Sequence, residues 1–229
     1  MEKIQYTMKL ILGIDEAGRG PVIGPMVIAG YCIEEEKIEL LKSLGVRDSK
    51  ELTRKQREEI YNEIIKLTDK YKYIIIGPKT IDYYVYKNRL NYLEFENMIK
   101  IIEEIKPDKV IIDSPMVNTK KVIEYIKNNL KINVEIIAEN KADKNYPIVS
   151  AASIIAKVIR DKEIDKIKEK IHIDFGSGYP ADERTIKAIK ENYEILKDYI
   201  RESWMTIKKI RGENQKSILN FFNHSSSKS

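Results

Sequence analysis

Five short runs rich in isoleucine and valine, at residues 10–14, 26–33, 73–77, 109–112 and 134–138, constrain the fold of this chain more than any other feature. Their length and β-branched content predict strands. Pro21, Gly24 and Pro25 lie between the first two, which predicts a turn and a hairpin. Apolar residues at helical spacing then predict helices over residues 53–68, 90–105, 119–130 and 147–171. Thr53 and Asn118 stand where helix caps belong, and Pro147 suits a first helical turn. A hairpin followed by alternating helices and strands implies an α/β chain with a mixed sheet covered by helices. A second helical section is predicted from Asp182 to about Tyr199. After Ile210 the sequence turns polar, and Arg211-Gly212-Glu213-Asn214 reads as a linker.

With 229 residues, 42% of them hydrophobic, the chain can bury one sizeable core. The single cysteine, Cys32, excludes an internal disulfide and a cysteine-rich zinc site. No apolar run reaches the roughly 18 residues of a membrane span, and no signal peptide opens the chain. A soluble protein in a reducing, cytoplasmic location is expected, with no membrane partner. The net charge of +5 is misleading, because residues 207–229 hold five Lys/Arg and one acid, leaving 36 bases against 35 acids elsewhere. Any polyanion would have to be bound by a local patch.

The first strand candidate runs straight into Asp15-Glu16-Ala17-Gly18-Arg19-Gly20. Two carboxylates beside a buried strand are costly unless a cation or hydrogen-bond network compensates them. The Gly-Arg-Gly that follows suits a close backbone approach to a phosphate or sugar. Asp113 ends the fourth strand candidate, and Asp143 lies between the fifth and the long helix that begins near Pro147. Sites in open α/β sheets gather at such strand ends, so Asp15, Glu16, Asp113 and Asp143 are expected to converge. Four carboxylates in one pocket repel one another, divalent cations relieve the repulsion, and all-oxygen ligation favours Mg²⁺ or Mn²⁺ over zinc. A lone Asp after a strand is commonly a turn or cap residue, so the inference rests on the set.

The block Asp15-Glu16-Ala17-Gly18-Arg19-Gly20-Pro21 resembles type 2 ribonuclease H, or ribonuclease HII, in its archaeal form. The resemblance continues at Asp48-Ser49-Lys50, at Ile111-Ile112-Asp113-Ser114, at Lys141-Ala142-Asp143 with residues 147–157, and at Gly176-Ser177-Gly178-Tyr179-Pro180. It implies a ribonuclease H-like fold: a mixed five-stranded sheet flanked by helices, with a helical C-terminal section, the catalytic domain covering residues 1–206. It also implies a metal-dependent endonuclease in which Asp15, Glu16, Asp113 and Asp143 bind two divalent ions, Mg²⁺ or Mn²⁺. Such an enzyme cuts the RNA strand of RNA–DNA hybrids and the 5′ side of ribonucleotides embedded in duplex DNA, leaving a 5′ phosphate and a 3′ hydroxyl. Gly18, Arg19 and Gly20 would read the ribose 2′-OH through backbone groups. Tyr179 would contact the sugar of the neighbouring deoxynucleotide, whereas on the residues alone it reads as a buried aromatic in a Gly/Pro loop. Lys50 and Arg19 are candidate phosphate contacts, or else solvated surface charges. Ser150, Ala151, Ala152, Ser153 and Ala156 are expected to pack the long helix closely on the sheet and so hold Asp143 in place. His172 and His224 belong to none of these blocks.

Within the tail, residues 207–229, Gln215, Ile218, Phe221 and Phe222 fit the pattern Gln-x-x-aliphatic-x-x-aromatic-aromatic. This resembles the peptide by which replication proteins bind a sliding clamp of the PCNA type. Ile218, Phe221 and Phe222 would share one face of a helical turn, a hydrophobic plug for a groove. The other reading is an amphipathic terminal helix docked on the protein's own core. The expected state is a monomer. Two alternatives to the type 2 enzyme are a type 3 ribonuclease H and a non-catalytic adaptor tethered at the clamp. The short stretch before the first strand argues against the former, and the presence of all four acids argues against the latter.

Overall fold

Residues 8–46 and 51–212 are described by a computed structural model of the protein. All five predicted strands form: β1 (Leu10–Ala17), β2 (Met26–Glu34), β3 (Tyr71–Ile76), β4 (Lys109–Asp113) and β5 (Glu135–Glu139). They make one sheet in the order β3-β2-β1-β4-β5. β1 pairs antiparallel with β2, and β2 with β3, while β4 and β5 continue the other side of β1 in parallel. β1, β4 and β5 therefore finish at the same edge of the sheet, where side chains from different strands can meet.

The sequence suggested that β1 ends before its acids, and the ladder shows otherwise. Pairing continues through Asp15↔Ala29, Glu16↔Ile28 and Ala17↔Val27. β2 supplies backbone partners as far back as Met26, so both carboxylates are carried on paired strand rather than on a loop.

The helices are α1 (Ile38–Ser43), α2 (Arg54–Leu67), α3 (Pro78–Tyr86), α4 (Leu90–Ile105), α5 (Thr119–Asn129), α6 (Ala142–Asn145), α7 (Pro147–Ile171) and α8 (Glu183–Leu196), then α9 over residues 205–212. Thr53 caps α2 in a reciprocal box with Gln56, an arrangement worth about 1 kcal/mol, and the Asn118 side chain accepts from the Lys121 amide to cap α5. α1, α3 and α6 were not expected, since such short helices offer too few turns for a periodic signal. α9 also corrects the linker reading. Arg211 and Gly212 are helical because Ile207 and Ile210, three apart on one face, are buried and carry the helix past the polar composition.

The chain divides into two compact units. The first comprises the described residues of Met1–Arg19, Met26–Ile76 and Arg89–Lys162. In it, Ile11, Ala17, Val27, Ala29 and Ile111 on one sheet face form a core with Ile148, Ala151, Ala152 and Ile155 of α7. The helix can approach because position 13 is glycine. A Cβ there would lie 2.3 Å from the Ile148 carbonyl oxygen and 2.7 Å from the Val149 nitrogen. On the opposite face, Gly30 of β2 meets Ile101 of α4 in the same intimate way.

The second unit joins Gly20–Pro25 and Gly77–Asn88 to the described residues from Glu163 onward. Its core contains Val22, Ile23, Ile164, Phe175, Ile189, Leu196 and Ile207. The buried Arg201 donates through Nε and Nη2 to the Gly24 carbonyl at 3.0 and 2.9 Å. The buried Asp82 accepts from the Glu202 and Ser203 amides at 2.9 and 3.0 Å, just ahead of α9.

Candidate active site

Strand alternation decides where the two adjacent acids point. Asp15 shares a face with Gly13, the face covered by α7, while Glu16 lies on the α4 side. Asp113 is the last residue of β4, on the same face as Ile111 of the α7-side core. Lys141, in the left-handed region at φ 63°, turns the chain out of β5 into α6, which carries Asp143. The Ser150 hydroxyl donates to the Asp143 carbonyl, and the Asp113 carboxylate accepts from the Ala142 amide at 3.1 Å. These bonds tie α6 to α7 and to the end of β4. The result is that one carboxylate oxygen from each of Asp15, Asp113 and Asp143 lies within 4.8 Å of the others. Asp15 and Asp143 are buried, at 4% and 2% exposure.

Burial, then the neighbouring Glu16 and Asp113 charges, hold the Asp15 carboxyl well above its ordinary range. Hydrogen bonds from the Ser153 hydroxyl and the Glu16 amide oppose that rise, and neither is a cation. Glu16 is raised to about 8 by burial, by Glu94 and by Asp113, against the pull of Arg19. A set of hard oxygen donors whose charges destabilise one another fits a divalent cation such as Mg²⁺ or Mn²⁺. Asp15, Asp113 and Asp143 are the residues that would hold it.

A testable pH dependence follows. The folded protein keeps protons on Asp15 and Glu16 that the unfolded chain releases near its ordinary carboxyl values. Metal-free stability should therefore fall as pH rises from about 5 to about 8. Divalent cation favours the ionised carboxylates, so the gain in Tm on adding Mg²⁺ should grow across the same interval. Equal pH profiles in chelator and in Mg²⁺ would contradict this coupling.

Beyond the three aspartates, the structure gives Arg19 and Ser153 partners and adds Asn91 and Glu94, which the sequence did not flag. Arg19 donates through Nη1 to Glu94 at 2.8 Å and to the Pro115 carbonyl at 3.1 Å, and through Nη2 to Asn91 at 2.7 Å. It is neither a solvated surface charge nor turned outward. Glu94 is fully buried on α4, and Ser153 of α7 faces Asp15. A signal for Glu94 was present, since with Asn97 it interrupts the apolar residues Leu93, Met98 and Ile101 that α4 buries. Gly18 is buried with φ 82°, a conformation glycine adopts without a Cβ penalty, and Gly20 is exposed. Tyr179 corrects the reading as a buried aromatic: it is 42% exposed, and a Cβ on Gly20 would lie 3.8 Å from its ring. Exposure follows from its place between Gly178 and Pro180, in a loop whose backbone is held by Thr185 and Asp182 while the ring is left outside. Lys50 and the tail residues Gln215, Ile218, Phe221 and Phe222 lie outside the described residues, as does His224.

Comparison with known proteins agrees with this architecture. The family model described as ribonuclease HII matches residues 12–207. Ribonuclease HII of Pyrococcus abyssi is 45% identical over 218 residues, 93% of this chain and 96% of that protein. The crystal structure of the ribonuclease H2 from Pyrococcus horikoshii superposes with a TM-score of 0.81 at 45% identity, covering 90% of this chain and 99% of that one. The PCNA:RNase HII complex from Archaeoglobus fulgidus gives 0.78 at 38% identity, covering 85% and 95%. A mixed five-stranded sheet with clustered carboxylates at its parallel strand ends, in this company, defines a metal-dependent nuclease of the ribonuclease H-like class. The chain belongs to the ribonuclease HII family. Membership implies ribonuclease H activity on RNA–DNA hybrids. Among the described residues no helix is long and apolar enough to cross a membrane.

Proposed function

We propose that this protein cuts the RNA strand of hybrids and the 5′ side of ribonucleotides embedded in duplex DNA, and so removes misincorporated ribonucleotides and RNA primers. The observation that carries the reading is the convergence of Asp15, Asp113 and Asp143 to within 4.8 Å. Two bound divalent ions, Mg²⁺ or Mn²⁺, would supply an activated water and stabilisation of the departing 3′ oxygen, leaving a 5′ phosphate and a 3′ hydroxyl. The three aspartates orient that chemistry from rigid strand and helix ends, and Glu16 is assigned as the fourth ligand. The backbone of Gly18, Arg19 and Gly20 is assigned the ribose 2′-OH, which separates RNA from DNA at the cut. Lys50 is assigned a phosphate, and Tyr179 the sugar of the neighbouring deoxynucleotide.

The catalytic part, expected from the sequence to end at residue 206, is extended in this proposal through the buried Ile207 and Ile210 of α9, and the tail beyond residue 212 reaches a sliding clamp through Gln215, Ile218, Phe221 and Phe222. The A. fulgidus relative in complex with PCNA supports that partner. The catalytic reading is tested with a labelled DNA duplex holding one internal ribonucleotide, in Mg²⁺ and in Mn²⁺, beside an all-DNA duplex and a chelator. Metal-dependent cleavage 5′ to the ribonucleotide, sparing DNA, is expected; binding without cleavage in both metals would leave the clamp-tethered adaptor. Truncation after Gly212, which keeps the described residues of α9, should leave kcat/KM on a short hybrid within about twofold while weakening clamp binding at least about 100-fold. Unchanged clamp binding would remove the four tail residues from that role.

A further inference from the structure

We propose that Arg19 and Glu94 form a buried clamp that positions the Gly18–Gly20 loop against the acid-bearing strand ends, making Arg19 a positioning residue rather than a phosphate contact. The inference rests on the proposed 2′-OH reading by that loop. Arg19 joins three segments at once: its own loop at the end of β1, the first two turns of α4 through Asn91 and Glu94, and the chain just past Asp113 through the Pro115 carbonyl. Two of these segments follow directly on candidate metal ligands.

Glu94 supplies the reason why the arginine stays. Its side chain is 0% exposed, while that of Arg19 is 32% exposed. Burial pushes the Glu94 carboxyl up to about 8 and Arg19 pulls it back, so the arginine offsets part of the cost of burying that group. A substrate phosphate drawing Arg19 away would strip Glu94 of that partner. Asn91 and Glu94, three residues apart, present their acceptors side by side to the two terminal nitrogens of one guanidinium. This fork geometry suits arginine and not lysine. The peptide groups of residues 18–20 inherit their placement from that anchorage, with the left-handed Gly18 already buried beside it.

Steady-state cleavage of an RNA–DNA hybrid by full-length Arg19→Ala, Arg19→Lys, Glu94→Gln, Asn91→Ala and the Arg19→Ala/Glu94→Gln double variant tests this. Arg19→Ala and Glu94→Gln should each lower kcat about 10–100-fold with KM within about threefold. The double variant should be no worse than the poorer single one. The dependence of KM on salt should keep its slope, since no phosphate contact is lost. Arg19→Lys should recover only part of kcat, and Asn91→Ala, which removes one bond and no charge, should lose several-fold. Asn91→Ala also keeps the question open to decision if a charge variant fails to fold. A raised KM with a shallower salt slope for Arg19→Ala, beside a normal Glu94→Gln, would overturn the clamp in favour of a phosphate contact. Wild-type kinetics in all variants would overturn it as well. Failure of the parent protein to cleave in any metal would instead refute the proposed function, and this inference with it.

Discussion

An Asp113→Asn variant is expected to cleave an RNA–DNA hybrid at least about 10³-fold more slowly than its parent at saturating Mg²⁺, with hybrid affinity within about threefold. The substitution keeps an oxygen to accept from the Ala142 amide, so α6 should remain docked on β4 and the loss should be one of charge. The same variant carries a second expectation of opposite sign. Asp113 is among the charges that raise both Asp15 and Glu16, so its removal should increase the Tm of the metal-free protein. Catalysis and stability thus oppose each other at this cluster, as at many sites that hold charge for use. Turnover within tenfold of the parent would remove Asp113 from the metal set. A lower Tm in chelator would show that the cluster carries no electrostatic strain.

Gly13→Ala should cost about 1–3 kcal/mol of stability, although it adds only one methyl group to a strand. That methyl would meet the Ile148 carbonyl carbon at 2.4 Å and its oxygen at 2.3 Å, and these are backbone atoms with no rotamer to escape into. The start of α7 must lift from the sheet. Ser150, two residues on, holds the Asp143 carbonyl, so displacement of α7 moves a candidate metal ligand that the substitution never touches. The measurable outcome is a Tm lowered by about 2–10 °C together with weakened Mg²⁺ dependence of the remaining activity. Gly77→Ala is the control, since a Cβ there meets nothing within 4 Å. Equal behaviour of the two variants would mean that α7 tolerates displacement from β1.

Much of the architecture could be read from residue pattern because long elements repeat their signal. α4 and α7 begin and end where their apolar spacing does, and Thr53 and Asn118 cap the helices they were expected to cap. The misreadings have physical causes. Asp15 and Glu16 look like the end of a strand because charge is rare inside one, yet pairing with β2 carries the strand past both. The pleat sends the two side chains to opposite faces, so the trio within 4.8 Å holds Asp15 and not its neighbour. Single-residue roles were the least legible. Glu94 takes its partner from 75 positions away, and no local pattern encodes that distance. Tyr179 was one tyrosine among 14, and only the loop around it explains its exposure.

The discontinuous second unit has a consequence for how the protein comes into being. Gly24 and the arginine that binds its carbonyl are separated by 177 positions, and Asp82 is separated by 121 from the Ser203 amide that it caps. During synthesis the segments at 20–25 and 77–88 leave the ribosome long before their partners exist. At ordinary elongation rates the wait from Gly24 to Arg201 is roughly 10–35 s. The strands of the sheet can assemble in that interval, while Val22 and Ile23 remain uncovered until the segment from Ile164 to Ile210 has been translated. A nascent chain stalled before Ile164 would expose those side chains, and it is at that stage that a chaperone would find the most to hold.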